Sequence, residues 1–263
     1  MVRDFANSGY WAIVLGGSSG LGLAAAKKLA QHGMNLCIVH RNPRTEMEQV
    51  QAEFTSIKSN RIMFVDFNAD ASNAEKQQQI IAEIKTKIGK KGSIRCLLHS
   101  IAKGNLKPMA GENPLSNDDF QVTLQAMALS LYDWTKAVYQ TGLFAKDARV
   151  LSFTSEGSYK AWQNYGAVST AKAALEAISR NIALEFAPYG IRANCIQAGV
   201  TDTRSLRMIP GSEKLIEYAQ QRNPFKKLTT PEDVAGVVYL LCKDEAAWIN
   251  GAVIPVNGGE HIN

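Results

Sequence analysis

The feature that most constrains the fold is a glycine-rich stretch between an apolar run, Ala12 to Leu15, and an alanine-rich pattern typical of a helix. Gly16 permits a tight turn after the strand, Gly20 leaves room for a pyrophosphate close to the backbone, and Gly22 permits close packing of helix on strand. The amide groups at the helix start would then face the phosphates. This order predicts a dinucleotide-binding unit, whereas glycines in an unconnected turn are the less favoured alternative. The residues of this stretch that are predicted to bind the dinucleotide are Gly16, Ser18, Ser19, Gly20, Leu21 and Gly22.

Composition and charge narrow the class of protein. The 263 residues are 46% hydrophobic, which is ordinary for a globular domain, and 29 basic against 24 acidic residues give a net charge of +5. This excess suits anionic ligands, but without a dense basic run it does not predict nucleic-acid binding. The N-terminal segment 1–10 lacks an apolar signal-like core, and no run approaches the roughly 18 apolar residues of a membrane span. A cytoplasmic protein with no membrane partner is expected.

The four cysteines lie inside apolar segments and form no Cys-x-x-Cys pair. Buried free thiols in a reducing compartment are therefore expected, rather than disulfides or zinc, and no metal site is predicted.

Apolar runs typical of strands alternate with helical patterns along the whole chain. Helix starts are marked by caps at Ser116 and Thr230, and a long helix is expected over 164–186. No linker or repeat interrupts the alternation, so residues 1–263 are predicted to form a single Rossmann-type, doubly wound α/β domain, with a mostly parallel seven-stranded sheet and helices on both faces. The predicted strands cover residues 12–15, 35–40, 61–65, 94–99, 150–153, 192–196 and 252–256.

The residue after the second strand bears on the choice of cofactor. An acid there would bind the adenosine ribose, whereas an arginine can hold a 2′-phosphate. Arg41 follows this strand with Arg44 nearby and no acid, which favours NADPH over NADH. The alternative is that Arg41 is a solvated loop charge. Asp70, after the third strand, is predicted to bind the adenine amino group, with capping of the next helix as a comparably supported alternative.

Tyr165 and Lys172 are seven residues apart on the predicted long helix, so they share one face two turns apart. A lysine ammonium beside a phenol favours the phenolate and lowers the tyrosine pKa, which would let Tyr165 donate a proton near neutral pH. The ammonium can also hold ribose hydroxyls. The alternative of two unrelated surface residues is less favoured, because the pair follows a nucleotide-binding loop.

Three motifs together resemble the short-chain dehydrogenase/reductase family over essentially the whole chain: the glycine stretch, the Tyr165 and Lys172 pair, and the ending Asn250 to Gly259. Most members have Tyr-x3-Lys, but Ser169 occupies that lysine position here. The Tyr-x6-Lys spacing resembles the divergent branch of enoyl-acyl-carrier-protein reductases.

Two further segments are similar to that branch, His99-Ser-Ile-Ala102 and Leu129-Ser-Leu-Tyr132, in which Ser130 replaces the helix asparagine of ordinary members. Two features depart from the branch. The glycine loop is of the ordinary family type, and Ser155 stands at the ordinary catalytic-serine position, where many enoyl reductases have a second tyrosine. Tyr159 lies close by and is not assigned by spacing.

The resemblance implies a site and an assembly. It assigns catalysis to Ser155, Tyr165 and Lys172, and binding of the nicotinamide carboxamide to Val200 and Thr203. It also implies a substrate lid over about 200–226 and a homotetramer with the long fourth and fifth helices at an interface. The remaining cofactor contacts that it implies are Ala71, Ser100, Ile101, Ala102, Lys172 and Gly199.

The leading functional prediction is an NADPH-dependent reductase of the C2–C3 double bond of an enoyl thioester, in fatty acid biosynthesis, with acyl carrier protein as one candidate carrier. The alternatives are a carbonyl or 3-oxoacyl reductase of the same family and a non-catalytic NADPH-sensing module. The basic residues of the expected lid can receive an acidic carrier protein, but a solvated surface is the favoured account. These residues are Arg204, Arg207, Arg222, Lys226 and Lys227.

Overall fold

In the computed structural model, which describes residues 3–262, seven parallel strands form one sheet in the order β3-β2-β1-β4-β5-β6-β7. The predicted doubly wound α/β fold is confirmed, and the sheet is parallel throughout. Residues 1 and 2, which formed part of the N-terminal segment considered above, lie outside the described residues, as does residue 263. The strands are β1 (Tyr10–Leu15), β2 (Asn35–His40), β3 (Phe64–Asn68), β4 (Ser93–His99), β5 (Phe144–Thr154), β6 (Ile191–Ala198) and β7 (Val253–Val256).

Helices cover both faces of the sheet and enclose two hydrophobic cores. Along β1, Ala12 and Val14 enter one core while Trp11 and Ile13 enter the other, because successive side chains of a strand point to opposite faces. The first core lies under α1, α2 and α9, and the second lies under α3, α5 and α6. The helices are α1 (Gly20–Gln31), α2 (Met47–Lys58), α3 (Ala74–Ile88), α4 (Asn117–Leu124), α5 (Ser130–Gln140), α6 (Gly166–Glu185), α7 (Arg204–Arg207), α8 (Ser212–Arg222) and α9 (Pro231–Cys242).

The helix caps predicted at two helix starts are present in the structure. Ser116 and Asp119 make a reciprocal capping box at α4, and Thr230 and Asp233 make another at α9. Each box satisfies backbone donors that have no partner within the helix. The four cysteines are buried and free, as predicted.

Several predicted boundaries were wrong, and the largest error is at β5, which begins at Phe144 rather than at residue 150. β3 begins at Phe64 rather than Arg61, because Arg61 has a left-handed φ of 57° and its amide bonds to the Lys58 carbonyl in the turn that ends α2. The long helix begins at Gly166, since Asn164 has a φ of 63°, and Tyr165 is its N-cap residue rather than part of the helix. The segment 199–225 contains two helices, α7 and α8.

At the amino ends of the central strands, three arginines surround one carboxylate. Arg95, Arg149 and Arg192, from β4, β5 and β6, all bond to Asp147 at 2.5 to 2.7 Å. Arg95 and Arg149 also donate to carbonyls at the C-terminal end of α9. This arginine cluster therefore holds α9 against the edge of the sheet opposite the strand ends that carry the predicted site.

Within residues 3–262, no helix is long and apolar enough to cross a membrane. The same part of the chain contains no group of three His, Cys, Asp or Glu side chains that could hold a metal ion.

Candidate active site

The predicted site residues follow the carboxyl ends of six strands, which lie along one edge because the sheet is parallel. The strand order reverses between β1 and β4, and in such sheets the crevice at the reversal binds ligands. The turn after β1 contains Gly16 to Gly22, and the segment after β4 contains Ser100 to Ala102.

The glycine turn is packed on one side and open on the other. A β-carbon at Gly16 would lie 2.4 Å from the Ser100 carbonyl oxygen, and one at Gly22 would lie 2.3 Å from the Gly16 oxygen. Both glycines therefore permit close contact between turn, helix and β4. At Gly20 the nearest atom to such a carbon is the Thr203 side chain at 3.6 Å, so Gly20 borders open space.

The start of α1 is suited to an anion. The side chain of its N-cap residue Ser19 makes no capping hydrogen bond, and the first turn carries no acid. The starts of α4 and α9, in contrast, each have a capping box and acidic residues in the first turn. The free amides of a helix end like that of α1 attract phosphate. These groups, with the open space beside Gly20, fit the pyrophosphate of a dinucleotide. Among the neighbouring predicted residues, Ser18 and Leu21 are half-buried.

At the expected adenosine end, two cations meet one carboxylate. Asp70 accepts hydrogen bonds from Arg41 at 2.7 Å and from Lys103 at 3.1 Å, and its other oxygen accepts the Ser72 amide. Burial raises the pKa of Asp70, but the bonds from Ser72, Lys103 and Arg41 outweigh it and lower that pKa to about 2. Asp70 is therefore ionised at neutral pH. The alternative of Asp70 as a helix cap was wrong, since the Asn73 side chain caps α3.

Sequence reasoning missed Lys103. The available signal was its position directly after Ala102, beyond a strand end that lines the crevice. The carbonyl oxygen of Ala71, next to Asp70, accepts a hydrogen bond of 2.8 Å from the indole N–H of Trp134. This bond anchors the loop to α5.

Lys172 lies in the interior, at the carboxyl end of β5. Its side chain reaches the Phe153 carbonyl oxygen at 2.6 Å, and the residue is only 8% exposed. Burial lowers the pKa of Lys172 to about 8, with opposing contributions from Cys195 and Glu176. The ammonium is therefore mostly charged at pH 7 and is held two helical turns from Tyr165.

Tyr165 and Ser155 are brought together beside Gly157. A β-carbon at Gly157 would lie 2.5 Å from a ring carbon of Tyr165, so the phenol ring rests directly on this backbone. Burial raises the pKa of Tyr165, and a hydrogen bond with Ser155 only partly offsets it. The expectation that Lys172 lowers the tyrosine pKa was therefore wrong, because burial dominates. Tyr165 is a neutral phenol at physiological pH.

A buried polar pair supports the segment after β4. His99 lies 2.8 Å from the Ser130 hydroxyl, which itself donates to the Ala126 carbonyl. Burial lowers the pKa of His99 to about 3, and the Lys172 charge lowers it further. The ring is therefore neutral, and its Nε2–H donates to Ser130. Ser130 follows a π-helical segment, Gln125–Leu129, that separates α4 from α5.

The segment after β6 completes the crevice. The Gly199 amide donates to the Val256 carbonyl, and the Val200 amide donates to Glu260 at 3.1 Å. Thr203 caps α7 by accepting the Leu206 amide, and it lies beside the glycine turn.

The family model described as enoyl-(acyl carrier protein) reductase matches residues 16–261, which include every element of this crevice. The chain belongs to this enoyl reductase-like group of short-chain dehydrogenases/reductases. It is accordingly an oxidoreductase of a family that uses nicotinamide cofactors.

Individual relatives of this short-chain dehydrogenase/reductase differ in kind. An enoyl-[acyl-carrier-protein] reductase [NADH] from Aquifex aeolicus is 28% identical over 239 residues, covering 90% of this chain and 85% of that protein. Its crystal structure superposes with a TM-score of 0.84 over 97% of this chain and 98% of that one, at 27% identity. Dehydrogenase/reductase SDR family member 4 from Sus scrofa is 26% identical over 94% of this chain and 86% of that protein.

A short-chain dehydrogenase from Burkholderia cenocepacia, solved in complex with NADP, shares the fold. Its TM-score is 0.82 at 23% identity, over 97% of this chain and 98% of that one.

The segment expected to form the lid is not uniformly a solvated basic surface. Arg204 pairs with Glu46, at 2.6 Å, and Arg207 pairs with Asp202. Arg222, in contrast, is buried, so the expectation that it belongs to a solvated face was wrong. Sequence reasoning also missed Glu46, because its pairing depends on which loops the fold brings together.

Proposed function

We propose that this protein is an NADPH-dependent reductase of the C2–C3 double bond of an enoyl thioester. The observation that carries the proposal is the buried Lys172 two turns after Tyr165, with Ser169 at the position where ordinary members have their lysine. The family model and the Aquifex relative are described as enoyl-acyl-carrier-protein reductases, which supports the same branch. The nicotinamide, when bound, would supply a hydride to the β-carbon, and a proton taken up from solvent at C2 would complete the reduction.

Tyr165 would act on the carbonyl oxygen of the thioester. Because burial keeps the phenol protonated, Tyr165 can donate a hydrogen bond to that oxygen as enolate charge develops. Ser155, whose side-chain oxygen borders Gly157 as the Tyr165 ring does, would help to position the phenol. Lys172, charged and anchored on Phe153, would orient the ribose hydroxyls and add positive potential near the developing charge.

The preference for NADPH is part of the proposal. Arg41 and Lys103 together bring two positive charges to one carboxylate, Asp70, so the adenosine end keeps a net positive charge. A guanidinium that is 60% exposed can turn towards a 2′-phosphate while Lys103 continues to neutralise Asp70.

A carbonyl or 3-oxoacyl reductase is the second candidate. The convergence of Ser155 and Tyr165 beside Gly157 favours it, because such a serine and tyrosine can bind one ketone oxygen. The Sus scrofa relative carries the general dehydrogenase/reductase description.

A comparison of two thioesters tests the choice. Crotonyl-thioester and 3-oxoacyl-thioester are assayed with NADPH and with NADH, following cofactor absorbance. We expect the enoyl compound with NADPH to have the highest kcat/KM. Turnover of the oxo compound alone would replace the leading proposal by the second candidate.

We also propose a homotetramer with α6 and the helical segment from α4 to α5 at an interface. Val122, Leu129 and Tyr132 on this helical segment are large and exposed, and a second copy of the chain would cover them. A measurement of mass in solution tests this assembly.

A further inference from the structure

Two glutamates meet at one arginine where the lid ends. Arg222 is the last residue of α8 and is 8% exposed. One of its terminal nitrogens donates to Glu156 and to Glu260, each at 2.5 Å. Lys160 adds a bond of 3.0 Å to the same oxygen of Glu156. These four residues, Glu156, Lys160, Arg222 and Glu260, form what we call the lid ion cluster.

Three members of the cluster, Glu156, Arg222 and Glu260, are buried, so their charges depend on one another. Glu156 is 7% exposed and Glu260 only 1%. Burial raises the pKa of Glu156, but the bonds from Arg222 and Lys160 outweigh that effect and lower it. Removal of the guanidinium would leave the buried Glu260 without this cationic partner and Glu156 with Lys160, which is unfavourable for two carboxylates in the interior. The end of α8 is therefore fixed in one place.

Each glutamate is attached to a different part of the active site. Glu156 directly follows Ser155 in the loop against which the Tyr165 ring packs. The second oxygen of Glu260 accepts the Val200 amide at 3.1 Å, and a β-carbon at Gly199 would lie 2.8 Å from that oxygen. Glu260 therefore sets the backbone position of the segment expected to bind the nicotinamide.

The next residue strengthens the same anchor. Asn223 is buried, and its side chain donates to the Asn257 carbonyl at 2.9 Å. The lid is thus fixed at its C-terminal end by buried bonds. Its N-terminal end is held by the pair of Arg204 and Glu46, in which the arginine side chain is 73% exposed. Exposed pairs are weak, so the lid would open at α7 and pivot at Arg222.

We infer that Arg222 is a positioning residue that couples the lid to both halves of the reaction site, to Ser155 through Glu156 and to the nicotinamide segment through Glu260. The inference rests on the proposed use of this crevice for cofactor and thioester. The two glutamates have different effects. Glu260 controls the affinity for the cofactor, and Glu156 controls the position of the loop that contains Ser155.

The test uses charge-neutral variants of similar shape, Glu260→Gln and Glu156→Gln, together with Arg222→Met and Arg222→Lys. The control is Lys227→Met, an exposed lid cation outside the cluster. For each variant, thermal unfolding reports the fold, NADPH fluorescence reports cofactor Kd, and kcat and KM are measured at saturating NADPH. The substrate is whichever thioester the wild type reduces.

We expect Glu260→Gln to weaken NADPH binding about tenfold and Glu156→Gln to lower kcat about tenfold while the NADPH Kd stays within about twofold. Arg222→Met should show both effects, Arg222→Lys should recover most of each, and Lys227→Met should show neither. Limited trypsin digestion should cleave the lid faster in Arg222→Met than in the control.

Equal losses in all cluster variants, or a lower melting temperature with unchanged Kd and kcat, would overturn the inference and leave the cluster a purely structural role. If Arg222→Met does not fold, the two glutamine variants still decide the question. The NADPH Kd does not depend on the thioester, so failure of the proposed reaction remains distinguishable from failure of this inference.

Discussion

Arg204 and Glu46 are far apart in the sequence, yet a guanidinium nitrogen of Arg204 lies 2.6 Å from the Glu46 carboxylate. The two residues follow β6 and β2, which are separated in the sheet by β1, β4 and β5. The ion pair therefore joins loops on either side of the crevice at the point where the strand order reverses.

We expect Arg204→Gln to raise KM for the thioester about two- to fivefold with little change in kcat, because an exposed ion pair contributes only about 0.2–1 kcal/mol. The effect should shrink in high salt, which screens the wild-type pair. Arg207→Gln is the control, since Arg207 pairs within the lid with Asp202. Equal effects of the two variants would contradict the role of the pair in closing the lid.

Tyr165→Phe should lower kcat by about 10²-fold or more, since it removes the proposed hydrogen-bond donor to the enolate oxygen and keeps the ring that rests on Gly157. NADPH affinity should stay within about twofold of the wild type. Tyr189→Phe is a matched control, because Tyr189 is exposed and lies in the turn before β6, at the amino end of that strand. Steady-state assays and fluorescence titration measure the two quantities. A wild type that binds NADPH but reduces neither thioester would instead favour the non-catalytic sensing module.

Lys172 should make the free energy of unfolding depend on pH. Its pKa falls from 10.5 to about 8 on folding because burial disfavours the ammonium. Below pH 8 the group is charged in both states. Between about 8 and 10.5 the unfolded chain binds more protons, so stability rises with pH. We expect the stability of the wild type minus that of Lys172→Met to rise by up to about 3 kcal/mol across this window. Urea unfolding at several pH values measures it, and a flat difference would contradict the lowered pKa.

Arg41→Ala should weaken NADPH binding about tenfold or more and leave NADH binding nearly unchanged, because a guanidinium bonded to a phosphate is a strong, charge-assisted contact. Fluorescence titration with both cofactors measures the ratio. Lys90→Ala, in the exposed turn after α3, controls for net charge. Equal loss of both cofactors would indicate that Arg41 only supports Asp70.

Arg149→Met should destabilise the fold by about 3–5 kcal/mol, because it removes one partner of a buried ion network and frees carbonyls at the end of α9. NADPH affinity of the folded fraction should be unchanged, since the arginine cluster lies at the opposite edge of the sheet. Denaturant unfolding and titration provide the two measurements. Weakened NADPH binding with unchanged stability would contradict this assignment.

The sequence alone determined the framework of this protein. The bounds of β2, the capping boxes at Ser116 and Thr230, and the strand, glycine turn and helix near Gly16 all follow from residues close together in the chain. Local patterns of this kind depend on backbone hydrogen bonds and on the alternation of apolar residues, which need no knowledge of distant partners. The order of the strands and helices along the chain predicts the doubly wound sheet, and the motifs on them predict the family.

Only the tertiary structure decided which charged groups of the site pair with one another and in which direction their pKa values shift. Lys103 reaches Asp70 because β3 and β4 end at the same edge, and Arg222 is buried because the C-terminal turn folds over it. The pKa of Tyr165 rises rather than falls because of what packs around the phenol. Burial and the meeting of distant loops depend on the strand order and on the whole packed chain, so the spacing of residues does not contain them.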